Sequence, residues 1–138
     1  MNDFIIEIKG TQGIDEQSDV IELSTVGTLS EKDGKFLITY EENKTLEEKN
    51  VKTKVLTENN KVIMLRSGGI DSRMVIEKGK RNTCFYAIPQ GELVLGIFGE
   101  EIENNLNKNG GKLSMSYTID IENSLVSQNK VEISIRKV

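Results

Sequence analysis

The stretch KLSMSYTIDIE, residues 112 to 122, decides the fold class of this chain. Its apolar side chains alternate strictly with polar ones, and they are Leu113, Met115, Tyr117, Ile119 and Ile121. Successive side chains of a β-strand point to opposite faces, so a period of two residues is typical of a strand with one buried face. We therefore predict a β-strand over this stretch.

The same period recurs along most of the chain. The C-terminal VEISIRKV alternates in the same way after a turn at Asn123-Ser124, which predicts a hairpin. Asp33-Gly34 is a typical two-residue hairpin turn before the strand FLITYEE. Further strands are predicted at 4–9, 20–29, 51–57, 62–66, 84–88 and 92–98. Only 41–50 and 100–108 have helix-compatible sequences, and both carry too few apolar residues to cover a sheet.

These elements predict an all-β chain, an antiparallel meander of about eight to ten strands with at most one or two short helices. A meander this long must close or fold over to protect its edge strands, so we favour a closed or nearly closed barrel over a sandwich. The 138 residues suit a single domain, which we place at 1–138.

Composition limits the possible functions. The net charge is only -4 and the charges are scattered, so bulk attraction to DNA or to an anionic membrane is not expected. The chain has no histidine, which removes the commonest general base and zinc ligand, and we predict no catalytic residue, metal or cofactor. Cys84 is the only cysteine and is expected to be a buried, inert thiol. Without a signal peptide or a spanning segment in the sequence, we expect a cytoplasmic protein, whose oligomeric state stays open.

The stretch RSGGIDSR, residues 66 to 73, contains the letters of the pyrophosphate-binding loop of ATP pyrophosphatases. That loop must follow a parallel strand and open a helix, but RMVIEKGKR offers too short a helix before Gly79. We predict instead that Gly68-Gly69 is a two-residue hairpin turn. Nucleotide binding through SGGIDS stays a remote alternative.

Two arginines flank that turn, and Arg66 and Arg73 are placed to converge on one carboxylate, from the protein or from a ligand. Three tyrosines lie in predicted strands, where an inward ring either packs in the core or lines a lumen. Our first hypothesis is a non-enzymatic barrel that binds a small molecule in its lumen or mouth. The predicted ligand-binding residues are Arg66, Arg73, Tyr40, Tyr86 and Tyr117.

A second hypothesis starts from the basic run between residues 66 and 81, which Phe85 and Tyr86 follow. Cations next to aromatic rings are typical of surfaces that bind a single strand of RNA or an acidic protein. The other interpretation is a solvated strand pair whose cations meet Asp71 and Glu77 across the strands. The sequence leaves this choice open.

The segment LRSGGIDSRMVIEKGKRNTCFYAIPQG resembles the central block of the YwiB-like family of Firmicutes, DUF1934. The matching positions are Arg66, Gly68, Arg73, Gly79, Tyr86, Pro89 and Gly91. LITYEE and the C-terminal hairpin are similar to the flanks of that family, while the chain departs from it at Ser72, Ile76, Cys84, Ile88 and Gln90. The resemblance implies a lipocalin-like, calycin-type β-barrel and brings no established activity.

Overall fold

Ten β-strands make up the computed structural model, which describes residues 4–14, 17–42, 51–67, 72–88, 90–121 and 124–138 and contains no helix among them. Of these residues, the side chains of 14, 17, 18, 42, 51, 86–88 and 125 lie outside the description. The strands are β1 (Phe4–Ile14), β2 (Gln17–Lys32), β3 (Lys35–Glu42), β4 (Val51–Glu58), β5 (Lys61–Ser67), β6 (Ser72–Glu77), β7 (Arg81–Ile88), β8 (Gly91–Asn107), β9 (Gly110–Ile121) and β10 (Ser124–Lys137).

The strands form one antiparallel sheet in the order β6-β5-β4-β3-β2-β1-β10-β9-β8-β7. Strands that are consecutive in sequence are therefore neighbours in the sheet, except β6 and β7, and a ladder between β1 and β10 joins the first strand to the last. The two edges of the sheet, β6 and β7, come together and nearly close a barrel. The predicted all-β antiparallel barrel is confirmed.

The junction between β6 and β7, which we call the seam, is held by a few separate hydrogen bonds. Near the turn that joins the two strands, Gly99 of β8 bonds to that turn: the Gly79 amide donates to the Gly99 carbonyl at 2.8 Å, and the Gly99 amide donates to the Lys80 carbonyl at 3.2 Å. Farther along, within the described residues, no backbone ladder links β6 to β7. The Cys84 thiol instead donates to the Arg73 carbonyl at 2.9 Å.

Alternation places one face of every strand in the interior. Most of the buried apolar side chains form one contiguous cluster, made of Phe4, Ile6, Ile38, Tyr40, Val55, Val62, Met64, Ile76, Cys84, Ile97, Ile102, Leu113, Met115, Tyr117, Ile133 and Ile135. Cross-strand register brings these residues together, as in Ile6 opposite Ile135 and Ile133 opposite Leu113. β-Branched and aliphatic side chains pack well on a pleated surface, and here they fill the middle of the barrel.

The two ends of the barrel differ. At one end, which we call the tight-turn end, short turns at 33–34, 59–60 and 108–109 join consecutive strands. Asp33 and Gly34 both have positive φ, 54° and 79°, as a type I′ hairpin turn requires, so the predicted Asp-Gly turn is confirmed. The connections at 15–16, 43–50, 68–71 and 122–123 belong to the opposite end and lie outside the described residues.

One local prediction is wrong. The stretch 100–107 is not helical, because it continues β8 and pairs with β9 as far as Asn107 opposite Gly110. The predicted turn at Gly68-Gly69 lies outside the described residues, and beside it Leu65 pairs with Arg73 and Arg66 with Ser72.

Two other predictions fall partly outside the described residues. The C-terminal hairpin is present, and its connection is 122–123, because Ser124 already pairs with Ile121. Of the second helix-compatible stretch, 41–42 belong to β3 and the rest lies outside the description.

Candidate functional site

A polar row crosses the inner face of the barrel at the opposite end. Tyr40 on β3 pairs with Thr53 on β4, and Thr53 pairs with Arg66 on β5. The first two side chains are buried and Arg66 is exposed at the rim. The Thr53 hydroxyl is buried without a hydrogen-bond partner among the described residues. This row places hydroxyl groups and one cation at one end of a largely apolar interior.

Tyr117 belongs to the same layer of the interior, reached from β9 on another wall of the barrel. Its side chain is buried, and burial raises the pKa of its phenol, while the positive charge of Arg66 opposes that rise. The charge of Arg66 is therefore close enough to act on the Tyr117 phenol. The structure therefore brings together three of the predicted residues, Tyr40, Arg66 and Tyr117.

The other two predicted residues lie elsewhere. Arg73 pairs with Leu65, on the face of the sheet opposite to that of Arg66, and is exposed on the outside of the barrel. Tyr86 lies in β7 opposite Leu93, and its side chain is outside the description. Because they lie on opposite faces of the sheet, the two arginines do not converge from paired positions as predicted, although both border the same depression.

That depression, which we call the basic groove, lies on the outside of the barrel near the rim of the opposite end. It has a volume of about 460 Å³ and is open to solvent. It is lined by Lys52, Lys54, Leu65, Arg66, Ser67, Ser72, Arg73 and Phe85. The register puts Lys54, Leu65 and Arg73 in one row across β4, β5 and β6, with a cation on each side of an apolar residue.

Three cations of the basic groove, Lys52, Lys54 and Arg73, have weak carboxylate partners or none among the described residues. Lys52 is 4.0 Å from the Glu41 carboxylate, a long contact between exposed groups. Within the part of the chain that the structure describes, no carboxylate forms an ion pair with Lys54 or Arg73. A local positive potential is therefore expected here despite the acidic composition of the whole chain.

The rest of the predicted basic run is neutralised by partners. These ion pairs are Lys78 with Glu101 at 3.6 Å, Lys80 with Glu77 at 3.4 Å and Arg81 with Asp120 at 2.6 Å. The run 66–81 thus does not make one basic face, since only its two N-terminal arginines reach the groove.

Arg81 has a structural position. Its Nε and Nη2 donate to the two oxygens of Asp120 at 3.0 and 2.6 Å, and this hydrogen bonding raises the pKa of the guanidinium. The guanidinium lies against Gly96, where an added Cβ would stand 2.2 Å from its Nη2 atom. The pair therefore ties β7 to β9 across the backbone of β8.

The basic groove also includes Phe85, Lys52 and Lys54. The two lysines had not been assigned to any site from the sequence. Phe85 is 59% exposed, which is unusual for a phenylalanine in a strand. The lysines alternate with the buried Thr53 and Val55 in VKTKV, so their outward direction was readable from the period of two. Their closeness to Arg73 was not readable, because it depends on the order and register of three strands.

The SGGIDS letters connect β5 and β6, which are antiparallel neighbours, and residues 68–71 lie outside the description. Among the described residues no helix follows this connection, so the context of a pyrophosphate loop is missing. The described residues also include no helix long and apolar enough to span a bilayer.

Comparison with known proteins agrees with this fold. The sequence profile of a domain of unknown function, DUF1934, matches residues 6–133. The chain is 27% identical over 116 residues to the uncharacterized beta-barrel protein YwiB of Bacillus subtilis (strain 168), covering 84% of this chain and 80% of that protein. A crystal structure of the ywiB protein from Bacillus subtilis matches with a TM-score of 0.86 at 23% identity, over 99% of this chain and 92% of that one.

At that level of identity the structural likeness shows a shared fold, and the lipocalin-like relationship stays a prediction. The profile match spans nearly the whole barrel, from β1 to β10, and it agrees with the family motif noted around Arg66 and Tyr86. This chain belongs to the DUF1934 family.

Proposed function

We propose that this protein is a non-enzymatic β-barrel that binds a small molecule carrying an acidic group in the basic groove. The observation that supports this function best is the row of Lys54, Leu65 and Arg73. Two cations without an ion-pair partner among the described residues flank an apolar side chain on a concave surface. Ligand sites commonly combine such apolar surface with a few polar groups in a volume of about 300 to 1,000 Å³.

The groove suits a ligand better than the middle of the lumen does. Ile38, Val55, Met64 and Met115 are all buried in one cluster and occupy the interior with their own atoms. An eight-stranded or slightly larger barrel can be filled in this way, and a ligand then binds at its rim or surface. Arg66 lines the groove and pairs with Thr53, so it links the groove to the polar row inside the mouth.

The geometry gives less support to the alternative, an RNA- or protein-interaction module on the basic face 66–81. Lys78, Lys80 and Arg81 each have a carboxylate partner, so binding a polyanion there would have to replace existing ion pairs. A cytoplasmic location belongs to our proposal because a lone cysteine and a small anionic ligand both suit that compartment.

The test is native mass spectrometry of the protein purified from its own host, followed by calorimetric titration of the molecule that copurifies. Lys54→Gln and Arg73→Gln should each weaken binding of that molecule by about tenfold, the typical loss for one charge-assisted hydrogen bond. Lys108→Gln, which removes the same charge in a turn at the tight-turn end, is the matched control and should bind normally. Equal affinities of all three variants and the unmodified protein would refute the groove as the site.

A further inference from the structure

Building on the proposed function, we infer that the ligand is a phosphate monoester that carries a flat aromatic ring, with the phosphate between Lys54 and Arg73 and the ring on Phe85. A mononucleotide is the simplest common molecule of this class. The inference combines two independent features of the basic groove, the charge of its row of cations and the exposure of its one aromatic side chain.

The charge favours a dianion. Neighbouring strands lie about 4.7 to 4.9 Å apart, so the Cα atoms of Lys54 and Arg73, two strands apart, are separated by roughly 9.5 Å. Their long side chains can both reach a group seated over Leu65, which lies between them. A phosphate monoester carries close to two negative charges near neutral pH and balances both cations, whereas a single carboxylate balances one. The planar guanidinium of Arg73 also suits two phosphate oxygens at once.

The ring follows from the position of Phe85 beside that row. The hydrogen bond from the Cys84 thiol to the Arg73 carbonyl, at 2.9 Å, holds β7 next to β6 at the height of Arg73. Phe85 is the next residue and is 59% exposed, so its ring is available on the outer surface where it borders the groove. Leu65, 38% exposed, continues this apolar surface toward the cations.

This arrangement offers a stacking surface within reach of the phosphate position. An aromatic side chain gives a flat heterocycle a face to stack on whatever its hydrogen-bonding pattern, so the groove selects for a ring without selecting one base. A phosphorylated aliphatic molecule would fill the charged half of the groove and leave Phe85 in water. The structure therefore predicts selectivity for the ring in addition to affinity for the charge.

The experiment titrates the full-length protein by calorimetry with adenosine 5′-monophosphate, ribose 5-phosphate and adenosine. These probes present the phosphate and the ring together, the phosphate alone and the ring alone. Adenosine 5′-monophosphate should bind most tightly, with an advantage over ribose 5-phosphate of about tenfold from stacking. Phe85→Leu should remove that advantage and leave ribose 5-phosphate binding unchanged, while Arg73→Gln should weaken both phosphates.

Phe98→Leu is the matched control, because Phe98 is an aromatic residue of β8, 39% exposed, that does not line the groove. Equal affinity for adenosine 5′-monophosphate and ribose 5-phosphate would refute the role of the ring in binding, but it would not contradict the proposed anion site. Equal affinity for adenosine and its monophosphate would refute the role of the phosphate in binding. No binding of either phosphate overturns this inference, while a different acidic molecule that copurifies would still support the proposed function. A short single-stranded RNA that binds far more tightly than the mononucleotide would overturn the small-molecule assignment.

Discussion

Gly99 is the residue on which closure of the barrel depends most directly, and Gly99→Ala is the sharpest test of the seam. A Cβ at this position would stand 2.3 Å from the Glu77 carbonyl oxygen and 2.6 Å from the Glu77 carbonyl carbon. Both are backbone atoms, so no side-chain rotation can relieve the overlap. Either β6 or β8 must move by about 1 Å to restore ordinary van der Waals contact.

That movement acts on the hydrogen bonds of the seam. Gly99 accepts from the Gly79 amide at 2.8 Å and donates to the Lys80 carbonyl at 3.2 Å, and a displacement of this size breaks or severely stretches both bonds. Each bond contributes about 1 kcal/mol net, and the loosened packing around the seam adds a similar amount. We expect Gly99→Ala to lower the free energy of unfolding by about 2 to 4 kcal/mol, a large part of the typical 5 to 15 kcal/mol.

Urea unfolding followed by circular dichroism measures this loss, with Gly10→Ala as the control. Gly10 is also a strand glycine, but an added Cβ there would meet nothing closer than the Ile21 carbonyl oxygen at 4.0 Å. Gly10→Ala should therefore change the free energy of unfolding by less than about 1 kcal/mol, and toward greater stability. If both variants lost the same free energy of unfolding, the close approach of Gly99 in β8 to Glu77 in β6 would be refuted.

Three other predictions concern the ionisable groups. A double-mutant cycle with Arg81→Gln and Asp120→Asn should show a stabilising coupling between the two side chains that weakens in salt, and additive effects would contradict the pair that ties β7 to β9. Cys84 is 5% exposed and burial raises the pKa of its thiol, so iodoacetamide should label the native protein at least about tenfold more slowly than the urea-unfolded chain; equal rates would show an accessible thiol. Hydrogen bonds from two lysines, Lys112 foremost, lower the pKa of Glu132 below its ordinary 4.5, so its contribution to stability is present above that pH and is lost as the pH falls through the folded pKa. Glu132→Gln should therefore flatten the acid limb of the stability curve measured by urea unfolding, and an unchanged limb would count against the ion pairs.

The fold class was predictable because the period of two is a local property. In β9 every second residue from Leu113 to Tyr117 is buried, as the sequence indicates. The period predicts only the first part of β8, at 92–98, because a register shift between Gly99 and Glu101 changes which parity faces inward. Ile97 and Ile102 are both buried although they are five positions apart, which a regular alternation does not allow.

The site was less predictable, because register depends on tertiary structure. A common face for Arg66 and Arg73 requires a register in which Leu65 pairs with Ser72, but Leu65 pairs with Arg73, and this shift of one residue puts the two arginines on opposite faces of the sheet. The inward direction of Tyr40 and Tyr117 followed from alternation alone and is confirmed by their burial. The contribution of Lys54 needed the pairing of β4 with β5, which no local pattern contains.

The fold and the proposed site use opposite faces of the same strands. Val55, Met64 and Ile76 point inward and hold the barrel together, whereas the row of Lys54, Leu65 and Arg73 faces solvent and has little part in that packing. Substitutions along the outer row can change the charge and shape of the groove at small cost in stability, since surface substitutions usually alter it by less than about 0.5 kcal/mol.

The position of the groove beside the seam adds a second property. Gly99 of β8 bonds to the turn between β6 and β7 at the tight-turn end, and one thiol links β6 to β7 near the groove, so a ligand that contacts Arg73 and Phe85 together would bridge two strands that share no ladder among the described residues. Such a ligand stabilises the closed barrel by mass action, which couples occupancy of the groove to closure of the fold.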